Sequence, residues 1–190
     1  VQTLKGNVKV FARVRPMKAT EEHACGAAVS VAAAKDGIPR RLLVTHAAQG
    51  VGAEAAAAAA RPFDFDRVFG ADVNTETLFA ELKPMVTRVA GGAKATVLAY
   101  GQTGSGKTYT MEGPPSKRGV NVRAIARVLE AASQRSDGVS YEPLEISMLE
   151  IYNEQVRDLL RPPGAAAERL DVTTATGASV VKGLTKQSVF

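Results

Sequence analysis

The stretch that decides the fold is Tyr100-Gly101-Gln102-Thr103-Gly104-Ser105-Gly106-Lys107-Thr108-Tyr109-Thr110. It matches the phosphate-loop pattern G-x-x-x-x-G-K-[ST] at every fixed position. The glycines at positions 101, 104 and 106 permit backbone angles and close approaches that a Cβ would block. Successive backbone N–H groups can then point at phosphate oxygens, at the positive end of the helix that follows. The residue types therefore predict a nucleotide-phosphate site.

Two side chains of the loop are expected to carry its chemistry. Lys107 would bridge the β- and γ-phosphates, and the Thr108 hydroxyl would ligate Mg²⁺, so these are the candidate catalytic residues. The pattern alone identifies neither the nucleotide nor its reaction, and a glycine-rich turn that contains Lys-Thr by chance is the alternative. The remaining predicted contacts to the phosphates are Gly101, Gln102, Thr103, Gly104, Ser105 and Gly106.

The segments around the loop predict an α/β sandwich. Residues 95–100 form a short apolar run that indicates a buried strand leading into the loop. Upstream, apolar residues recur at helical spacing from Leu78 to Val89, with Asn74 as the candidate N-cap and Pro84 as an expected kink. This strand–helix–strand order predicts a P-loop NTPase: a three-layer sandwich with a central, mostly parallel or mixed sheet.

Other elements are predicted from local patterns. Val8, Val10, Ala12 and Val14 alternate onto one face of a first strand, which Pro16 ends. The further predictions are short strands at 29–31 and 42–45, a strand end at 63–69, a helix at 123–133, a long strand at 144–152, a short helix capped by Asn153 with Val156, Leu159 and Leu160 on one face, and a strand pair between Leu170 and Phe190.

The composition bounds the class of protein. The 190 residues are 45% hydrophobic, enough to build the core of one domain or of a large piece of one. The sequence contains no run of about 18 apolar residues, so no membrane span is predicted, and no signal peptide is visible. The single cysteine, Cys25, favours a reducing compartment, and the two histidines argue against a zinc site. The net charge of +5 gives weak support for a polyanionic partner.

Four separated stretches of the chain resemble the kinesin motor domain. They occur in that family's order and at its usual separations, from about residue 7 to the C-terminus. The phosphate loop with its flanks is the most specific of them, because the bare loop is shared by many NTPases. The four stretches are Val10–Pro16 (VFARVRP), Phe63–Phe69 (FDFDRVF), Ala99–Gly113 (AYGQTGSGKTYTMEG) and Leu149–Leu160 (LEIYNEQVRDLL).

The resemblance implies a motor that binds ATP with Mg²⁺ and couples ATP hydrolysis to movement along microtubules. By position, Arg13 and Pro16 resemble the family's adenine-contacting pair, and Tyr109 resembles the residue that stacks on the base. In the alternative, Pro16 only ends a strand and Tyr109 packs in the core. The family also implies a cytoplasmic, cytoskeletal location and self-association through a coiled coil outside this chain, with no nucleic-acid or membrane partner.

The resemblance extends to the kinesin-14 subgroup, whose motors are C-terminal and minus-end-directed. It rests on three short stretches, Thr3–Val10, Glu81–Val86 and Ser147–Glu154. It implies that residues 1–6 are the end of a neck and that residues 7–190 are the N-terminal portion of a motor domain.

Two switch motifs of the family, Asn-x-x-Ser-Ser-Arg-Ser-His and Asp-Leu-Ala-Gly-Ser-Glu, are not found in the 190 residues. Those segments would hold the γ-phosphate and the attacking water, so the chain by itself is expected to be catalytically incomplete. A non-catalytic module derived from a kinesin, which binds nucleotide or tethers to microtubules, is the alternative. An unrelated P-loop kinase or GTPase would not explain the stretches 10–16 and 149–160.

Overall fold

The computed structural model describes residues 8–18, 21, 29–45, 60–134, 143–164, 170–175 and 178–189. Residues 1–6, expected to be the end of a neck, lie outside this set. Contacts divide the chain into two compact units, Val1–Gln134 and Arg135–Phe190. Helices and strands both occur, which agrees with the predicted α/β class. Within the described residues, no helix is both long and apolar enough to cross a membrane.

Within its described residues, the first unit has five strands and three helices with defined bounds. Strand β1 pairs in parallel with β5, and β2, β3 and β4 form an antiparallel sheet in chain order. The two short strands predicted at 29–31 and 42–45 are confirmed as β2 and β3. The elements are β1 (Phe11–Arg13), β2 (Val29–Val31), β3 (Arg41–Val44), β4 (Arg61–Asp64), β5 (Arg67–Phe69), α1 (Thr75–Val89), α2 (Lys107–Met111) and α3 (Val120–Ser133).

The core of this unit lies where α1 and α3 pack together beside β5. Helix α1 begins as predicted, because the Asn74 side chain accepts a hydrogen bond from the Thr77 N–H at 2.8 Å. Pro84 lies inside this single helix, and its expected kink stays a prediction. Helix α3 begins at Val120, three residues before the predicted start at 123. The buried apolar side chains of the core are Phe69, Leu78, Phe79, Val86 and Val120.

The first strand is shorter than the predicted alternation, because β1 covers only Phe11–Arg13. Val8 and Val10 are 77% and 53% exposed, whereas Phe11, assigned to the opposite face, packs against the core. The Phe11 and Phe69 rings meet edge to face with centroids 5.9 Å apart. An aromatic pair buries more apolar area than a valine, which favours Phe11 rather than Val10 at the core.

The buried strand predicted at 95–100 is not formed. No strand is assigned there, and Leu98 and Tyr100 are 83% and 96% exposed. Val97 alone of this run packs against the core. A strand needs a neighbour to pair its backbone groups, and within the described residues no strand pairs with this segment.

The second unit is built from short antiparallel strands. The predicted long strand at 144–152 is two strands in different sheets, since β6 pairs with β11 and β7 pairs with β8. The strand pair predicted after Leu170 is confirmed as β9 and β10. The elements are β6 (Leu144–Ile146), β7 (Leu149–Tyr152), β8 (Gln155–Asp158), β9 (Val172–Ala175), β10 (Ala178–Val181) and β11 (Gln187–Val189).

The helix predicted after Asn153 is wrong, because Asn153 and Glu154 form the turn of the β7–β8 hairpin. Their φ angles are +48° and +60°. A two-residue turn of type I′ requires positive φ at both central residues, and asparagine tolerates this better than most residues. The residues after the turn, Val156 among them, therefore continue as strand β8.

Candidate nucleotide site

The loop at 101–106 has the backbone that its glycines were predicted to allow. Gly101, Gly104 and Gly106 have φ angles of +156°, +80° and +99°. A Cβ on Gly101 would lie 2.5 Å from Ser105 Oγ, so the Ser105 side chain would have to move, and the positive φ of Gly101 itself favours glycine. The loop closes with a hydrogen bond from the Ser105 N–H to the Gln102 carbonyl at 3.1 Å. Gly106 is the N-cap of α2, so the loop leads directly into a helix start.

Lys107 folds its ammonium group back over the loop. Its Nζ donates to the carbonyl oxygens of Gly101 at 2.7 Å and Gln102 at 2.9 Å. These neutral acceptors take two of the three ammonium hydrogens, and no carboxylate among the described residues pairs with the charge. An anion held by the loop would therefore meet a cation that is already in position.

Thr108 follows Lys107 on the first turn of α2 and is exposed. Its carbonyl accepts hydrogen bonds from the N–H groups of Glu112 at 2.8 Å and Gly113 at 3.2 Å, which fixes the backbone that carries its hydroxyl. Gly113, directly after the C-cap Glu112, has a φ of +65° and ends the helix. The candidate Mg²⁺ ligand is thus accessible and held by a rigid turn.

A cavity of about 700 Å³ lies beside the loop and brings the predicted adenine contacts together. Arg13, Pro16 and Tyr109 all line it, and so do Ser105 and Gly106 from the loop. Lys107 lines a second cavity of about 190 Å³, whose other lining is mostly apolar. The two cavities share Arg13, Ser105, Gly106 and Thr110. The large cavity therefore adjoins the glycine loop, an arrangement that suits a ligand with an anionic end and a flat aromatic end.

The scan against known families matches residues 13–190 to the kinesin motor domain. The chain belongs to the kinesin motor domain family. Kinesin-like protein KIN-14S of Arabidopsis thaliana is 38% identical over 98% of the chain, and klp-3 of Caenorhabditis elegans is 35% identical over 98%. KIN-14J of Oryza sativa is 38% identical, also over 98% of the chain. The expected resemblance to kinesin-14 proteins is confirmed.

A solved structure described as a fast kinesin, with implications for ATPase mechanism and interactions with microtubules, matches the fold. Its TM-score is 0.77 and its identity 32%, over 96% of this chain and 48% of that structure. The predicted α/β P-loop fold is therefore confirmed. The chain spans 23%, 21% and 29% of KIN-14S, KIN-14J and klp-3, about a quarter of their length.

Arg13 of this kinesin chain is held from three directions. Its Nη1 donates to Thr110 Oγ1 at 3.0 Å, and its Nη2 donates to Thr75 Oγ1 at 3.1 Å. A longer hydrogen bond of 3.5 Å joins Nη2 to the Val73 carbonyl. The guanidinium carbon lies 5.4 Å from the centre of the Tyr109 ring, within cation–π range. Burial lowers the pKa of Arg13 from its ordinary value, and the nearby Tyr109 partly opposes that shift.

Arg15 and Glu21 form an ion pair at the rim of the large cavity. Arg15 Nη1 donates to Glu21 Oε2 at 2.7 Å, and the Lys18 N–H donates to the same oxygen at 2.9 Å. These bonds, that from Arg15 first, lower the pKa of Glu21 from 4.5 to about 2. Arg15 is thus neutralised, whereas the hydrogen-bond acceptors of Arg13 are all uncharged.

Four further residues belong to this site and were not predicted from the sequence: Thr75, Thr110, Arg15 and Glu21. Arg15 stands in the quoted stretch 10–16, so its position was a usable signal. Thr75 and Thr110 lie 62 and 97 residues from Arg13 in sequence, and no local pattern links hydroxyls that far from an arginine.

Proposed function

We propose that this chain is the ATP-binding part of a microtubule motor that couples ATP hydrolysis to movement along microtubules. The observation that carries the proposal is the Lys107 ammonium, held by neutral carbonyls over a glycine loop, beside a cavity that holds Arg13, Pro16 and Tyr109. The ATPase described for the fast-kinesin structure and the family match support the choice of ATP.

In this proposal the loop binds the phosphates and the large cavity receives adenine. Lys107 exchanges its two loop carbonyls for oxygens of the β- and γ-phosphates, and the glycine backbone from 101 to 106 donates N–H groups. Pro16 and Tyr109 give flat surfaces for the base. The Thr108 hydroxyl, a hard oxygen ligand on an exposed first turn, fits Mg²⁺, which when bound neutralises charge on the phosphate oxygens.

The proposal extends to the whole protein. Residues 1–6 are the end of a neck and residues 7–190 are the N-terminal portion of a motor domain. Its partners are microtubules and, through a coiled coil outside this chain, a second copy, in the cytoplasm and on the cytoskeleton. Movement is toward microtubule minus ends, a direction supported by the similarity to kinesin-14 proteins alone.

The test uses the longest natural polypeptide that contains this chain, with phosphate release measured with and without microtubules. Lys107→Ala should weaken ATP binding by about 10- to 150-fold, because a charge-assisted phosphate contact is lost. Lys35→Ala, at an exposed turn away from both cavities, is the control and should leave binding unchanged. Equal affinities of Lys107→Ala and wild type would refute the assigned role.

The direction of movement is read from polarity-marked microtubules that glide over the immobilised motor. Plus ends leading would agree with minus-end movement, and minus ends leading would overturn that part of the proposal. Turnover that microtubules do not stimulate would favour the second candidate, a non-catalytic nucleotide-binding or microtubule-tethering module.

A further inference from the structure

We propose that Thr75 and Thr110 are positioning residues for the base of the nucleotide, which they orient through Arg13. The inference rests on the proposed function, because it takes the large cavity as the base site. In this proposal neither threonine contacts the phosphates. Each acts by fixing the guanidinium that lies over the ring of Tyr109.

The Thr75 hydroxyl is not needed to cap helix α1, although Thr75 stands at the start of that helix. It is the first residue of α1 and only 5% exposed, the one buried polar residue in the part of the chain that the structure describes. The capping bond of α1 comes from Asn74, so Thr75 is not needed for that task. A buried hydroxyl without a partner is costly, and here its recorded bond is the one from Arg13 Nη2.

Thr110 ties the same guanidinium to the helix of the phosphate loop. It follows Tyr109 directly on α2 and accepts from Arg13 Nη1, while Thr75 accepts from Nη2. Each terminal nitrogen is therefore fixed by a different helix, which sets the plane of the group. The arginine comes from β1, so three elements that are far apart in sequence define one orientation.

The acceptors also preserve the charge of Arg13. Both hydroxyls and the Val73 carbonyl are neutral, in contrast to the carboxylate that holds Arg15. A cation held by neutral groups keeps its attraction for the electron-rich faces of Tyr109 and of a purine. Loss of one hydroxyl should let Arg13 turn, so that the base loses its oriented partners while the phosphate loop is left unchanged.

The experiment separates the base from the phosphates by using two probes, Mg-ATP and Mg-tripolyphosphate, with affinities measured by calorimetry. The protein is the longest natural polypeptide that contains this chain. Thr75→Val and Thr110→Val remove each hydroxyl at nearly constant shape. We expect the Kd for ATP to rise by about 5- to 30-fold and that for tripolyphosphate to stay unchanged. Thr75→Ser should restore the wild-type affinity for ATP.

Thr87→Val is the matched control. Thr87 also lies on α1 and its hydroxyl also accepts from an arginine, Arg127 Nε at 2.9 Å, but it lines neither cavity. Its affinity for both probes should equal that of wild type. If Thr75→Val does not fold, the test rests on Thr110→Val, whose site is only half-buried.

Two results would overturn the inference. In one, the affinities of the valine variants for ATP and for tripolyphosphate fall by the same factor, which means that the hydroxyls only support the fold. In the other, the variants bind ATP as tightly as wild type. A wild-type protein that binds tripolyphosphate but not ATP would instead refute the proposed function, and with it the base site.

Discussion

Replacing Phe69 by alanine should weaken the core of the first unit more than any exposed phenylalanine could. Its side chain is 1% exposed, its ring meets that of Phe11, and the Arg67 guanidinium lies 5.3 Å from its centre. Removing a fully buried phenylalanine costs about 3–5 kcal/mol, of which the aromatic pair accounts for about 0.5–1.5 kcal/mol. Domains are stable by only about 5–15 kcal/mol, so this is a large fraction.

Hydrogen–deuterium exchange of peptides that cover α1 and α3 measures the effect locally, in the longest natural polypeptide that contains this chain. Exchange through opening of this core should accelerate by about 100- to 5,000-fold in Phe69→Ala. Phe63→Ala is the control, because Phe63 lies on β4 and is 47% exposed; its exchange should stay close to wild type. Similar exchange in the two variants would show that Phe69 is not the centre of this core, and would refute the reasoning.

Two further predictions concern a glycine and a carboxylate. Gly113→Ala should destabilise the turn between α2 and α3 more than Gly37→Ala destabilises the turn that contains Gly37. Both glycines have positive φ, +65° and +71° respectively. A Cβ at Gly113 would lie 2.2 Å from the backbone oxygen of Lys117, whereas a Cβ at Gly37 would have no atom within 4 Å. Thermal unfolding compares the two, and equal losses would mean that the backbone angle alone matters. Hydrogen bonds from Thr185 lower the pKa of Asp158 from its ordinary 3.8, so Asp158 stabilises the fold above that value and the gain is lost as pH falls through the lowered pKa. Acid titration of the circular dichroism signal should show a smaller loss below about pH 4 in Asp158→Asn than in wild type, and identical curves would contradict it.

Local chemistry predicted the backbone shape of residues 101–106 and the start of α1 well. The pattern of glycines, Lys107 and Thr108 needs no partner from elsewhere in the chain, since the backbone of the loop makes its own shape. Asn74 and the apolar spacing from Leu78 likewise act within one helix. Such features depend only on residues close in sequence, so the local sequence is enough to predict them.

The errors arose where a partner strand or a turn geometry decides. Residues 95–100 have the composition of a buried strand, but a strand depends on its neighbours and none pairs with this segment in the described residues. Phe11 packs inward because its ring contacts that of Phe69, which lies 58 residues later in the sequence. Asn153 suits both a helix cap and a type I′ turn, and the pairing of β7 with β8 selected the turn.

In the part of the chain that the structure describes, segment 95–100 pairs with no strand, so phosphate binding at the loop and strand pairing at this segment would be thermodynamically linked. Leu98 and Tyr100 are exposed, and the chain passes without interruption from Tyr100 into Gly101, which Lys107 contacts. A phosphate that orders the loop would also restrict the backbone leading into it, and a strand that paired with 95–100 would restrict the loop. Linkage is reciprocal. If strand pairing raises the affinity for phosphate by a given factor, bound phosphate must raise the affinity for the pairing strand by the same factor.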